Sequence, residues 1–133
     1  MFKELVGQAV QAIVLEKEGQ TLIIKTDKYR YTFVAEGDCC AVAYVLEPEE
    51  EDLKNFLGNK IVQATSRAVT VTNDDGGEQT DTEFYNLRTH NGDLTLELRT
   101  EHNGYYSGWL MQVGREELWP VFDDIRDEAR RGM

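Results

Sequence analysis

The chain has 133 residues, 41% of them hydrophobic, enough to close one core without staples and to form a single domain. Its 14 basic and 25 acidic residues leave a net charge of −11, a field that repels phosphate and disfavours direct nucleic-acid binding. No apolar run approaches the roughly 20 residues of a membrane span, and Met1 to Gly7 has no signal-peptide apolar region, so a cytoplasmic setting without a membrane role is expected.

Phe2 to Val6 reads as a short helical turn. Ala9 to Leu15 and Thr21 to Thr26 are β-rich runs joined around Glu18-Gly19, a hairpin signal. From Tyr29 to Val34 the period is two: Tyr29, Tyr31 and Phe33 point one way, Arg30 and Thr32 the other. A break at Glu36-Gly37-Asp38 leads into the adjacent Cys39-Cys40 and an apolar run, Ala41 to Leu46. Vicinal cysteines can close only a small strained ring, so they staple nothing distant. Pro48 followed by Glu49, Glu50, Glu51 and Asp52 starts a helix, because proline suits the first turn and acids complement the positive dipole end. Leu53, Phe56 and Leu57 supply its apolar stripe and Gly58 its stop.

Ile61 to Thr72 is a long β-prone segment, with an interruption expected near Ser66-Arg67. Asn73 to Asp81 reads as an acidic loop around Asp74-Asp75-Gly76-Gly77, and Glu83 to Arg88 resumes the sheet. Asn91-Gly92 is the strongest hairpin signal in the chain. Beyond it Leu94, Leu96 and Leu98 alternate with polar residues, one face to the core and one to water. Trp109 to Val113 forms a last strand, and Gly114 separates it from a helix in which Leu118, Phe122, Ile125 and Ala129 fall at helical spacing. The expected fold is α+β: a strongly bent, mostly antiparallel sheet or pair of sheets, with one short helix near 48–57 and a C-terminal helix near 116–131.

Candidate chemistry concentrates at Glu101-His102-Asn103-Gly104-Tyr105-Tyr106-Ser107-Gly108. Two tyrosines beside an Asn-Gly turn, flanked by histidine and serine, combine rigid aromatic area with hydrogen-bonding groups, as recognition tips do. A structural hairpin whose tyrosines cover a sheet edge is the competing reading. Cys39 or Cys40 with His102 or His90 supplies the residue types for a thiol hydrolase, and Asp38, Cys39, Cys40 and His102 those for a zinc site, but no nucleophile motif or metal-ligand spacing is present. The 74–83 loop lacks the alternating ligands of a calcium loop, and no phosphate-binding glycine loop occurs. No catalytic residue, metal or cofactor is therefore expected.

From Glu47 to Glu83 ten acids face three bases. Solvated loops and a helix face account for such a run. A surface aimed at a basic protein partner accounts for it too, and its candidate residues are Glu49, Glu50, Glu51, Asp52, Asp74 and Asp75.

Asp38-Cys39-Cys40, Phe84-Tyr85-Asn86-Leu87 and Asn103-Gly104-Tyr105-Tyr106-Ser107 occur in an order that resembles an uncharacterised family of small proteins common in actinobacterial phages and bacteria. The resemblance covers roughly Phe2 to Val113, and the Asn-Gly-Tyr-Tyr-Ser tip is its most specific part. Ala41 stands where that pattern tends to carry an acid, and His102 where it carries serine. The resemblance implies a phage or prophage setting inside a bacterial host cell, and supplies no activity.

The expected function is non-enzymatic: an accessory protein that binds a host protein through the tyrosine tip, the acidic surface or both, for instance as an acidic decoy inhibiting a defence nuclease. Two alternatives stand beside it. One is a metal- or nucleotide-binding or hydrolytic domain using Asp38, Cys39, Cys40 and His102. The other is a self-associating structural subunit, a homodimer with Trp109 or Trp119 as interface anchor.

Overall fold

A computed structural model describes residues 1–38, 41–72, 79–102 and 107–118. A 3₁₀ turn, Phe2–Leu5, precedes strands β1 (Val10–Glu16), β2 (Thr21–Thr26), β3 (Tyr29–Gly37) and β4 (Val42–Leu46). Helix α1 (Glu50–Phe56) follows, then β5 (Ile61–Thr72), β6 (Gln79–Thr89), β7 (Asp93–His102) and β8 (Gly108–Glu117). The strands form two four-stranded antiparallel sheets, ordered β1-β2-β3-β8 and β4-β7-β6-β5.

Alternation decides which face of each strand is buried. Tyr31 and Phe33 on β3 and Leu94, Leu96 and Leu98 on β7 are all buried, as their period of two predicts. Leu22 and Ile24 complete the inner row of the first sheet, and Leu87 and Tyr85 that of the second. Phe2 fits edge-to-face between Phe33 and Tyr85, both at 5.0 Å, joining the two sheets through one aromatic cluster. A buried polar network sits beside it: Gln8 donates to Tyr31 Oη at 2.9 Å and accepts from Thr26 Oγ1 at 2.6 Å.

The α+β composition and the antiparallel pairing agree with the sequence reading, but the sheets are not strongly bent. Two sheets that bury each other's inner faces need not curl to enclose a core. Register shifts occur only between Val10 and Ala12, Thr32 and Phe33, and Ile61 and Gln63 among the described pairings. β5 runs unbroken through Ser66-Arg67, paired throughout with β6.

The C-terminal helix expected from residue 116 is also corrected at its start. Gly114 lies opposite Thr32, just past the register shift, rather than ending the sheet. Strand pairing then continues through Glu116↔Arg30 and Glu117↔Tyr29. Arg115 reinforces this stretch by pairing with Glu4 and lying 4.5 Å over the Tyr29 ring. The remaining residues of that expected helix, 119–131, lie outside the described ones.

Turn chemistry fixes two junctions. Lys17, Glu18 and Gly19 all have positive φ in the β1–β2 turn, and Gly19 packs so closely on β4 that a Cβ would stand 3.2 Å from the Val45 backbone nitrogen. The Gly19 carbonyl accepts from that same N–H at 2.7 Å. The β6–β7 turn is held instead by Thr89, whose Oγ1 accepts from the N–H groups of Asn91 and Gly92 at 3.2 and 3.1 Å.

Helix α1 spans seven residues and buries Phe56 completely. It packs against β7, beyond the point where β4 stops at Leu46↔Glu97. Gly58, just after the helix, donates to the Val10 carbonyl of β1 at 2.8 Å. α1 thus closes the flank of the sandwich between β1, an edge of one sheet, and the start of β7 in the other.

Candidate functional site

Two connections cross between the sheets at one end of the molecule, β3 to β4 and β7 to β8. Their strands are already in register there: Gly37 pairs with Gly108 and Val42 with Glu101. The crossings meet at Asp38 and Ser107. Asp38 N–H donates to the Ser107 carbonyl at 2.9 Å, while the Ser107 N–H and hydroxyl donate to Asp38 Oδ2 at 3.2 and 3.3 Å. The Asp38 carbonyl in turn accepts from Ala41 N–H at 2.7 Å. Asp38 and Ser107, the described ends of the two segments singled out in the sequence, therefore share one corner of the fold. Cys39, Cys40, Asn103, Gly104, Tyr105 and Tyr106 lie outside the described residues, as do Asp74 and Asp75.

His102 belongs to the strand rather than the turn. It continues the inward row of β7 after Leu98 and Thr100, is buried, and brings Nε2 to 2.7 Å from Asp81 Oδ2 on β6. The inner face becomes polar here, where Asp81 pairs in register with Thr100, and Glu83 with Leu98. A cleft of about 180 Å³ opens beside them, lined by Thr70, Asp81, Glu83, Thr100 and Gly108. Asp81 Oδ1 is buried and has no hydrogen-bond partner among the described residues. Burial, then the charge and hydrogen bond of Glu83, holds the neighbouring Tyr85 phenol well above its ordinary value.

The Ser107 hydroxyl and His102 Nε2 each have a carboxylate as hydrogen-bond partner among the described residues, Asp38 and Asp81 respectively. Among the described residues no three His, Cys, Asp or Glu side chains are grouped to hold a metal ion.

The second candidate surface is on the flank that α1 closes. Glu47, Glu49, Glu50, Glu51 and Asp52 are all exposed, and none takes part in an ion pair among the described residues. Lys54 is the one base in the helix. A groove of about 480 Å³ runs between the helix and β1, lined by Ile13, Leu15, Glu47, Pro48, Glu50 and Leu53. A second cleft of about 720 Å³ lies along the helix, sharing Glu50 and Leu53 and reaching Leu57. The turn beside this flank bonds to the helix, with Asn91 Nδ2 donating to the Asn55 carbonyl at 3.3 Å. β7 starts just after that turn and ends at His102, so its length, roughly 30 Å for ten residues, separates the acidic helix from the Asp38–Ser107 corner.

The sequence reading named the acids but missed Ile13, Leu15 and Asp81. A signal for the first two existed. Ala12 to Leu15 is uniformly apolar where a half-buried strand alternates, and on an edge strand such a run leaves apolar surface uncovered.

Residues 3–111 match the family model described as Domain of unknown function (DUF7448). The chain belongs to that family. The matched span runs from the 3₁₀ turn into β8 and includes both the Asp38–Ser107 corner and the acidic flank of this DUF7448 member. No curated protein and no solved structure matches it. No described helix is long and apolar enough to cross a membrane.

Proposed function

We propose that this DUF7448 member is a non-enzymatic accessory domain that binds a basic surface on a host protein, in a phage or prophage setting. It presents carboxylates where that partner would otherwise meet nucleic-acid phosphate, and inhibition of a defence nuclease is one concrete form of the activity. One observation carries the reading: Glu47 and Glu49 to Asp52 form an exposed, one-signed patch with no ion pair among the described residues. Exposed carboxylates so placed raise the association rate with a cationic face and disfavour acidic competitors.

Capture from a bacterial lysate tests it. The expected product is a DNA- or RNA-binding protein that is released by duplex DNA and lost when Glu49, Glu50, Glu51 and Asp52 are changed to lysine. A captured partner indifferent to both treatments would overturn the reading.

A second reading, self-association, is favoured by the outer side of edge strand β8, where Trp109, Met111 and Val113 are 39%, 39% and 53% exposed. Sedimentation equilibrium decides it: a monomer at every concentration, unchanged by Trp109→Ser, would eliminate this reading.

A further inference from the structure

We infer that the groove between β1 and α1 receives an apolar anchor side chain from a short basic segment of the protein partner. The inference rests on the protein-binding reading above and specifies the chemistry of the partner's contact.

The floor of the groove is a piece of core left uncovered. Ile13 and Leu15 pair in register with Ile24 and Leu22, whose side chains are completely buried, so all four lie on the inner row of the first sheet. β1 is an edge strand, however, and Ile13 and Leu15 remain partly exposed. Pro48 and Leu53 supply the facing wall. A groove of about 480 Å³ falls within the size range of pockets that enclose organic groups, and one aliphatic or aromatic side chain is small beside it. Its apolar surface is the part of this flank that rewards an anchor by leaving water.

Charge selects what carries the anchor. Glu47 and Glu50 line the groove, and Glu16, Glu49, Glu51 and Asp52 are exposed on the segments beside it. A purely apolar segment would strip water from these carboxylates without replacing it, and an acidic one would repel them. Lysine or arginine on either side of the anchor removes that cost. The second cleft shares Glu50 and Leu53 with the first, so two anchors one helical turn apart can straddle the ridge between them. The occupant with this chemistry is a basic amphipathic helix or strand carrying one or two large apolar side chains.

Two fluorescein-labelled synthetic peptides of about 12 residues, roughly three helical turns, test this against the full-length protein by anisotropy. Both carry the same lysines; one has leucine at two positions four apart, the other serine. The leucine peptide is expected to bind at least about tenfold more tightly, since burying a single leucine suffices for that ratio. Glu47→Lys with Glu50→Lys, both on the surface, should weaken both peptides. Ile13→Ser should abolish the leucine preference, and Ile13→Phe, which fills the groove instead of emptying it, should do the same without opening a cavity in the fold. Equal binding of the two peptides would overturn the anchored groove while leaving the charge-based function standing. Failure of both peptides to bind would overturn the function together with the groove. A leucine preference that survives both Ile13 variants, or that vanishes as unlabelled protein self-associates over the groove, would also refute the inference.

Discussion

Asp38 and Ser107 are 69 residues apart, yet they hold each other through three hydrogen bonds, two of them converging on Asp38 Oδ2. They tie the two inter-sheet crossings into one corner. A carboxylate acceptor makes such bonds stronger than neutral ones, although exposure reduces the net gain. Asp38→Ala should lower the unfolding free energy by about 1 kcal/mol, with Asp38→Asn recovering part of it. Urea denaturation measures the loss. Hydrogen exchange supplies the local readout: the Ser107 amide should exchange faster in Asp38→Ala while amides of β6 keep their protection.

The inward histidine is a second structural commitment. His102 is 9% exposed, and its Nε2 meets Asp81 at 2.7 Å. His102→Ala would leave a cavity beside a carboxylate that already has one oxygen unpartnered among the described residues, so a loss of roughly 2–4 kcal/mol is expected. His102→Gln keeps a polar terminus within reach and should cost distinctly less. Thermal denaturation of the two variants checks the order, and equal losses would assign the effect to packing alone.

Much of the sheet was legible because it is encoded at short range. Leu94, Leu96 and Leu98 face the core as their spacing requires, and Gly58 follows directly on the last turn of α1. The same rule carried four residues further, through Thr100, places His102 on the inner row, but histidine, asparagine and glycine together read as a turn and ended the strand early. Gly114 looked like a terminator for a similar reason. Its neighbours remain in the strand because Glu116 and Glu117 pair in register with Arg30 and Tyr29 of β3, a long-range ladder that no local window contains. The α1 groove has the same origin. Its floor comes from β1 and its wall from Pro48 and Leu53, and only the topology brings them together.

Alkali should expose the buried phenols. Burial is the main cause that raises Tyr31, Tyr44 and Tyr85 above the ordinary tyrosine value of 10.0, with Glu101 adding to it at Tyr44 and Glu83 at Tyr85. The folded state therefore holds these protons more tightly than the unfolded chain does. That contribution is intact below pH 10 and is lost as the pH rises beyond it, because the unfolded phenols ionise first. The thermal midpoint should stay level to about pH 9 and then fall. Tyr85→Phe should flatten part of that fall, even where it lowers the midpoint at neutral pH. A slope unchanged in Tyr85→Phe would mean that this phenol is not held protonated.

Gly108 sets how closely the crossing from β7 can enter β8. A Cβ at this position would overlap the Thr100 hydroxyl and stand 2.7 Å from its Cγ2 and 3.0 Å from the Ala43 Cβ. Thr100 is 2% exposed and packed in the inner row of β7, so it has little freedom to rotate away. Gly108→Ala should therefore destabilise the fold by about 1–3 kcal/mol, the usual cost of overpacking. The remedy is specific: Thr100→Ala removes both atoms that would collide. It costs stability alone, but combined with Gly108→Ala it should give a loss smaller than the two single losses added. A double-mutant cycle in urea measures that coupling. Additive losses would mean that the close approach to the Ala43 Cβ, not Thr100, is what excludes a side chain at Gly108.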